Sequence, residues 1–241
     1  IRSCLVGSEM CIRDRPLNIM KSVNQQMQWF GVESCAGRVK YDDPRMYHFR
    51  SWEPKTPFAP RFDCPMWLDQ VEPEKCKKIL EQWEEEKRPW ATYNFFNEQT
   101  ENNLLPEIHL MTGAFCDILE VEMPEKLWIR GWIHKLTVGQ HLPTHHHSIH
   151  ENTFLSGNML LTHSKTPTEY YIPGYSLYGG NLTPAPIPGM TTIFPSWVEH
   201  RVGTVSETRI ALAWDIYTQE AMDYCKKSSP SNEMMMSIPF E

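Results

Sequence analysis

Residues 208–218 read TRIALAWDIYT. Arg209, Ala211, Ala213 and Asp215 fall on one face of an extended chain, and Ile210, Leu212, Trp214 and Ile216 on the other, because strand side chains have a period of two. The same texture recurs upstream as far as Pro124. KLWIRGWIHKLTVG, TFLSGNMLLTH, TEYYIP, MTTIF and HRVGT are short runs rich in β-branched and aromatic residues, separated by Gly and Pro clusters such as YGGNLTPAPIPG. Short strands punctuated in this way predict an antiparallel sandwich or barrel.

Before Pro124 the period changes. In EPEKCKKILEQWEEEKR, Pro73 suits a first helical turn, and Cys76, Ile79, Leu80 and Trp83 recur at helical spacing opposite a charged face. PEIHLMTGAFCDILEVE predicts a second helix, with Ile108, Met111, Phe115, Ile118 and Leu119 as its apolar stripe and Pro124 as its end. Residues 20–62 show no sustained period, and aromatics are scattered among prolines in SWEPKTPFAPRF. Residues 1–19 are set apart: CLVGSEMCIRDR looks like the translation of a sequencing-library adapter, which would make Met20 the true start. The expected organisation is therefore an adapter scar over 1–19 and an irregular arm over 20–62. Helices and a β domain follow over 63–218, and a C-terminal tail over 219–241 that begins as a candidate short helix and decays into a Ser-, Pro- and Met-rich run.

The chain has 241 residues, of which 41% are hydrophobic and 12% aromatic, enough for a core. Its net charge of −7 and the lack of a basic stripe argue against a nucleic-acid partner. No apolar run approaches the ~20 residues needed to span a bilayer. Apart from Cys4 and Cys11, the cysteines are Cys35, Cys64, Cys76, Cys116 and Cys225. Their odd number and wide spacing point to reduced thiols and a cytoplasmic setting. A soluble protein acting on a small molecule or another protein is the class that remains, and a homodimer is compatible with the sequence.

THHHSIHENTFLSG (144–157) places four of the ten histidines within six positions. A loose, solvated run is the plain explanation, but the surrounding residues match the mouth of a metal-binding jelly roll. His145 and His147 are two apart and can reach one ion from the same strand face. Glu151 could add a carboxylate beyond a short turn, and His200, in FPSWVEH, a distant third imidazole. Imidazoles with an optional carboxylate and open positions suit Fe(II), with Mn, Ni and Zn as further candidates. Alternation turns His146 away, whereas His150 could replace a neighbour if the strand is bulged.

Arg209 follows His200 by nine residues, and its same-face neighbours are alanines, which leaves room for a ligand. Its guanidinium offers a planar fork for a carboxylate. The competing reading is a salt bridge at the rim with an acid such as Glu207.

Together, His145-x-His147, LSG at 155–157, PG…FPSWVEHRV at 188–202 and RIALAWDI at 209–216 resemble the 2-oxoglutarate/iron(II)-dependent oxygenases widespread in marine bacteria and phages. CPMWLDQVEPEKCKKILEQW resembles that family's opening strand and helix, so the likeness spans about residues 62–218. It implies a mainly β chain with N-terminal helices, an α+β arrangement built on a double-stranded β-helix. It further implies Fe(II) held by histidines at the first site and by His200, and Arg209 gripping the distal carboxylate of 2-oxoglutarate. Dioxygen and a substrate of unknown identity would complete the reaction, in a bacterial cell or a phage-infected host.

The chain departs from the oxygenase pattern at the first site, where His-x-His stands in place of His-x-Asp/Glu. His147, His150 and Glu151 therefore remain alternatives for completing the set. The segment also fits the cupin pattern G-x5-H-x-H-x3-E-x5-G from Gly139 to Gly157. Two other functions thus stand beside an oxygenase: a cupin-type isomerase or dioxygenase that does not use 2-oxoglutarate, and a non-catalytic metal-binding barrel.

Overall fold

The computed structural model describes residues 42–51, 56–58, 61–83, 93–98, 104–148, 154–172, 181–229, 231 and 233–241, with the backbone of 27–29 and 38–39. The N-terminal part contains β1 (Met27–Trp29), β2 (Arg38–Val39), β3 (Met46–Arg50) and β4 (Asp63–Gln70). Helices α1 (Pro73–Gln82) and α2 (Leu105–Ile118) flank a 3-10 turn at Phe95–Glu98. Then come β5 (Leu127–Leu136), β6 (Leu142–His145), β7 (Leu155–Leu160) and β8 (Thr168–Tyr171). They are followed by β9 (Asn181–Pro184), β10 (Met190–Pro195), β11 (His200–Val202) and β12 (Arg209–Thr218). Helix α3 (Gln219–Ser228), a 3-10 turn at Glu233–Met236 and β13 (Ile238–Phe240) close the chain.

The strands form two antiparallel sheets. Five are ordered β1-β9-β8-β11-β6, and eight are ordered β13-β5-β12-β7-β10-β4-β3-β2. This is the jelly roll of a double-stranded β-helix, mainly β with helices outside it. The ten residues of β12 pair with the ten of β5, from Arg209–Leu136 to Thr218–Leu127.

The alternation in β12 separates two cores. Leu212, Trp214 and Ile216 point outward into a cluster with Trp67, Ile193, Ile79, Ile108, Met111 and Phe115, where α1 and α2 cover the large sheet. Trp67 and Phe115 meet across this layer with ring centroids 6.2 Å apart. Between the sheets lies a second cluster, in which Tyr47, Met66, Leu68 and Phe194 of the large sheet face Tyr170 and Leu182 of the small one. Gly157 stands opposite Trp214 in the β7–β12 pair, and a Cβ there would overlap the buried indole. Only glycine lets Trp214 lie flat across the neighbouring strand.

Several expectations from sequence need correction in detail. Helix α2 stops at Ile118, six residues before Pro124. Glu120 takes a positive φ of 56°. The Val121 N–H returns to the Cys116 carbonyl and the Glu120 N–H to that of Asp117. This Schellman motif, not the proline, terminates the helix. Within the stretch read as irregular, Met46–Arg50 forms β3, paired with β4 from Met46–Trp67 to Arg50–Asp63. Four of its five residues are buried, so it carries no alternation to read. Within 219–241 the expected short helix is α3, which Thr218 Oγ1 caps by accepting from the Ala221 N–H, but the tail beyond it adds β13 as an edge to β5. No helix among the described residues is long and apolar enough to cross a membrane.

Candidate metal centre

Strand β6 ends at His145, whose direct partner in β11 is His200. On its other side His200 pairs with Tyr170 of β8, so a row Tyr170–His200–His145 crosses the small sheet. His147 lies two residues past the end of β6, with its N–H donating to the Ser196 carbonyl at 2.7 Å. The His145 and His200 ring centroids are 4.3 Å apart, and each lies 5.1 Å from that of His147. One ring nitrogen from each of the three lies within 4.8 Å of the other two.

The remaining nitrogens identify which atoms face inward. Nδ1 of His145 lies 2.8 Å from the Pro143 carbonyl, and Nδ1 of His200 lies 3.0 Å from that of Val198. Nδ1 of His147 lies 2.7 Å from Asp215 Oδ1. A carbonyl or carboxylate only accepts, so Nδ1 carries the proton in each ring and Nε2 presents a lone pair. Burial pushes His200 down to about 3, assisted by the neighbouring His145 and His147. Burial also lowers His145. The two are therefore neutral near pH 7, which is the ligating form. Three imidazoles with ordered outer partners suit a divalent transition-metal ion.

The walls are aromatic. Trp132 of β5 stacks on His147 at 5.7 Å with an interplanar angle of 17°. Tyr170 stacks on His200 at 5.5 Å, and Phe194 meets it edge-on at 5.0 Å. Asp215 is buried at the back of the site. Burial alone would raise its pKa, but His147 and hydrogen bonds from Ser156 and Tyr217 outweigh it and hold the carboxyl below its usual range.

Arg209 opens β12 and is 2% exposed. Its Nη2 donates to Thr168 Oγ1 at 2.7 Å, while its Nε is buried with no hydrogen-bond partner among the described residues. None of the described carboxylates forms an ion pair with it. Burial lowers its pKa to about 10, although the nearby Tyr170 pulls the other way. It lines a cavity with Asn158, Thr168, Tyr170, Met190 and Thr192. The rim salt bridge to Glu207 is not present: Glu207 accepts from the Lys165 N–H at 2.6 Å, and Arg209 turns inward.

The structure thus brings His145, His147 and His200 together. It sets His146 apart, exposed and hydrogen-bonded to Ser148, while His150 and Glu151 lie outside the described residues. Sequence reasoning passed over three neighbours. Asp215 was placed on the Arg209 face but given no role. Trp132 and His134 sit opposite Ala213 and Ala211 in β5, and His134 is lowered by burial and by the nearby Arg209 and His145. Their signal was the alternation of β5 itself, legible once that strand is registered against β12.

No family profile matches the sequence, and no curated protein matches it. Among solved structures, the chain is similar to a prolyl-4-hydroxylase from Pseudomonas putida, with a TM-score of 0.51 and 13% identity over 64% of this chain and 86% of that one. A prolyl hydroxylase from Trichoplax adhaerens, solved with a hypoxia inducible factor peptide fragment, gives 0.49 at 9% identity, covering 66% and 86%. The α-ketoglutarate-dependent epimerase SnoN from nogalamycin biosynthesis gives 0.47 at 11% identity, covering 64% and 77%. At these identities the likeness is one of fold.

Proposed function

We propose that this chain is a 2-oxoglutarate- and Fe(II)-dependent oxygenase, of the kind found in marine bacteria and phages that its sequence resembles. The observation that carries this is Arg209: a buried guanidinium without a carboxylate partner among the described residues, lining a cavity in a barrel that also holds a three-histidine cluster. A buried charge is costly unless paired, so the cavity calls for an anionic ligand. The fork of Arg209 matches a carboxylate, and the distal carboxylate of 2-oxoglutarate would supply one.

His145, His147 and His200 would hold the metal through Nε2, with their Nδ1 partners keeping each ring in place. When bound, iron(II) and 2-oxoglutarate supply the activation of dioxygen for oxidation of a C–H bond, with succinate and carbon dioxide as co-products. Ala211 and Ala213 leave room on the face that Arg209 occupies. Tyr170 and Phe194 close the rear of His200 against water. In this scheme Thr168 orients the guanidinium through its 2.7 Å hydrogen bond.

Anaerobic addition of Fe(II) and then 2-oxoglutarate tests the proposal. The expected result is a weak visible charge-transfer band, followed on exposure to air by slow succinate formation without added substrate. Iron binding with neither signal would replace it with a cupin-type enzyme that binds substrate directly to the metal.

A further inference from the structure

Behind His147 stands a carboxylate that lies outside the histidine cluster. Asp215 is 6% exposed, and both its oxygens are engaged. Oδ1 accepts from His147 Nδ1 at 2.7 Å and from Ser156 Oγ at 2.6 Å. Oδ2 accepts from Tyr217 Oη at 3.0 Å. Ser156 Oγ in turn lies 2.8 Å from Ser196 Oγ, whose residue also receives the His147 N–H through its carbonyl. Ring and backbone of His147 are therefore tied to one connected set of groups on β7, β12 and the turn after β10.

Three imidazoles bound as neutral ligands would leave the charge of a divalent ion uncompensated, whereas a carboxylate ligand would cancel one unit of it. We infer that Asp215 is a positioning residue that supplies this charge through His147 without touching the ion. Two physical reasons support the assignment. A carboxylate accepting from Nδ1–H raises the basicity of the opposite nitrogen and fixes the plane of the ring. The hydrogen bonds from Ser156 and Tyr217 meanwhile hold the carboxylate in place, so it cannot turn towards the metal in place of the imidazole.

The inference rests on the metal-centre reading, and affinity for Co(II) separates the two. Wild type, Asp215→Asn, His147→Asp and the double variant are each titrated anaerobically. Asp215→Asn keeps the shape and one acceptor oxygen, and it is expected to weaken Co(II) binding by roughly 10- to 100-fold. In the His147→Asp background the same change should leave binding equal or tighter, because the ligand then carries its own charge and two adjacent carboxylates repel. Equal loss in both backgrounds, or no loss in the first, overturns the inference alone. Failure of the wild type to bind any divalent ion overturns the metal centre and the inference with it. A second measurement needs no variant. In the Zn(II)-loaded wild type, side-chain 15N shifts should show His147 protonated at Nδ1 and metal-bound at Nε2, and the reverse assignment overturns the proposal.

Discussion

Arg209 Nη2 donates to Thr168 Oγ1 at 2.7 Å, a bond that ties β12 of the large sheet to β8 of the small one across the barrel interior. One side chain thereby meets both walls of the cavity. Its charge has no carboxylate partner among the described residues, and in the proposed function the guanidinium is held in place before an anion arrives. Such preorganisation reduces the cost of ordering groups on binding.

Truncating Arg209 should therefore remove cosubstrate binding and spare the metal. Loss of a buried bidentate contact costs about 2–5 kcal/mol, or roughly 30-fold or more in 2-oxoglutarate affinity. Arg209→Lys should recover part of this, since lysine supplies a point charge without a fork. Titration of the Fe(II)-loaded variants measures both effects. Unchanged 2-oxoglutarate binding in Arg209→Ala would make the residue structural.

The two histidine types should separate cleanly. His200→Ala removes a ring nitrogen from the cluster and is expected to abolish tight metal binding. His146→Ala alters an exposed ring bonded to Ser148 and should retain most of it. Effects on outer groups reach roughly 100-fold, so only a larger drop counts as loss of a ligand. Comparable losses in both variants would mean that the cluster is misassigned.

Two glycines should respond to alanine with opposite signs. Gly157→Ala drives a methyl into Trp214, which is 1% exposed and enclosed. Overpacking of this kind costs about 1–3 kcal/mol, and for a chain of this size each kcal/mol lowers Tm by about 2–4 °C. Gly113, inside α2, has nothing within 4 Å of an added Cβ. Gly113→Ala should raise stability by about 0.5–1 kcal/mol through helix propensity. Thermal unfolding of the metal-free proteins checks both, and a neutral Gly157→Ala would refute the packing argument.

Four cysteines should be chemically silent in the native protein. Cys64, Cys76, Cys116 and Cys225 are buried. Burial raises each thiol, that of Cys76 to about 11. Thiolate is the reactive form, so iodoacetamide near pH 8 should leave these four unmodified until denaturant is added. Mass spectrometry after native and denatured labelling reads the outcome. Rapid native labelling of Cys64 would contradict its enclosure.

Short runs of β-branched and aromatic residues between Gly and Pro clusters marked β5, β7, β8, β10, β11 and β12, alternation was read in β12, and helical periodicity marked α1 and α2. β3 escaped, since four of its five residues are buried and the alternation vanishes. β9 escaped because its four residues lie inside a Gly- and Pro-rich run and are held as a strand by pairing with β1 and β8. The early end of α2 was hidden because its cap uses Glu120, not glycine, at positive φ.

At the site, the sequence alone supplied the candidate residues. Histidines two apart, a third at a strand start and an arginine among alanines all follow from residue type and spacing. Alternation assigned Arg209 and Asp215 to one face of β12, but it is silent on whether that face turns inward or outward. Only the packing of Leu212, Trp214 and Ile216 beneath the helices decided it, directing Arg209 into the cavity and away from Glu207. The link from Asp215 to His147 joins residues 68 apart. It depends on the closure of two sheets, and closure is set by burial summed over the whole barrel and by no local run of sequence.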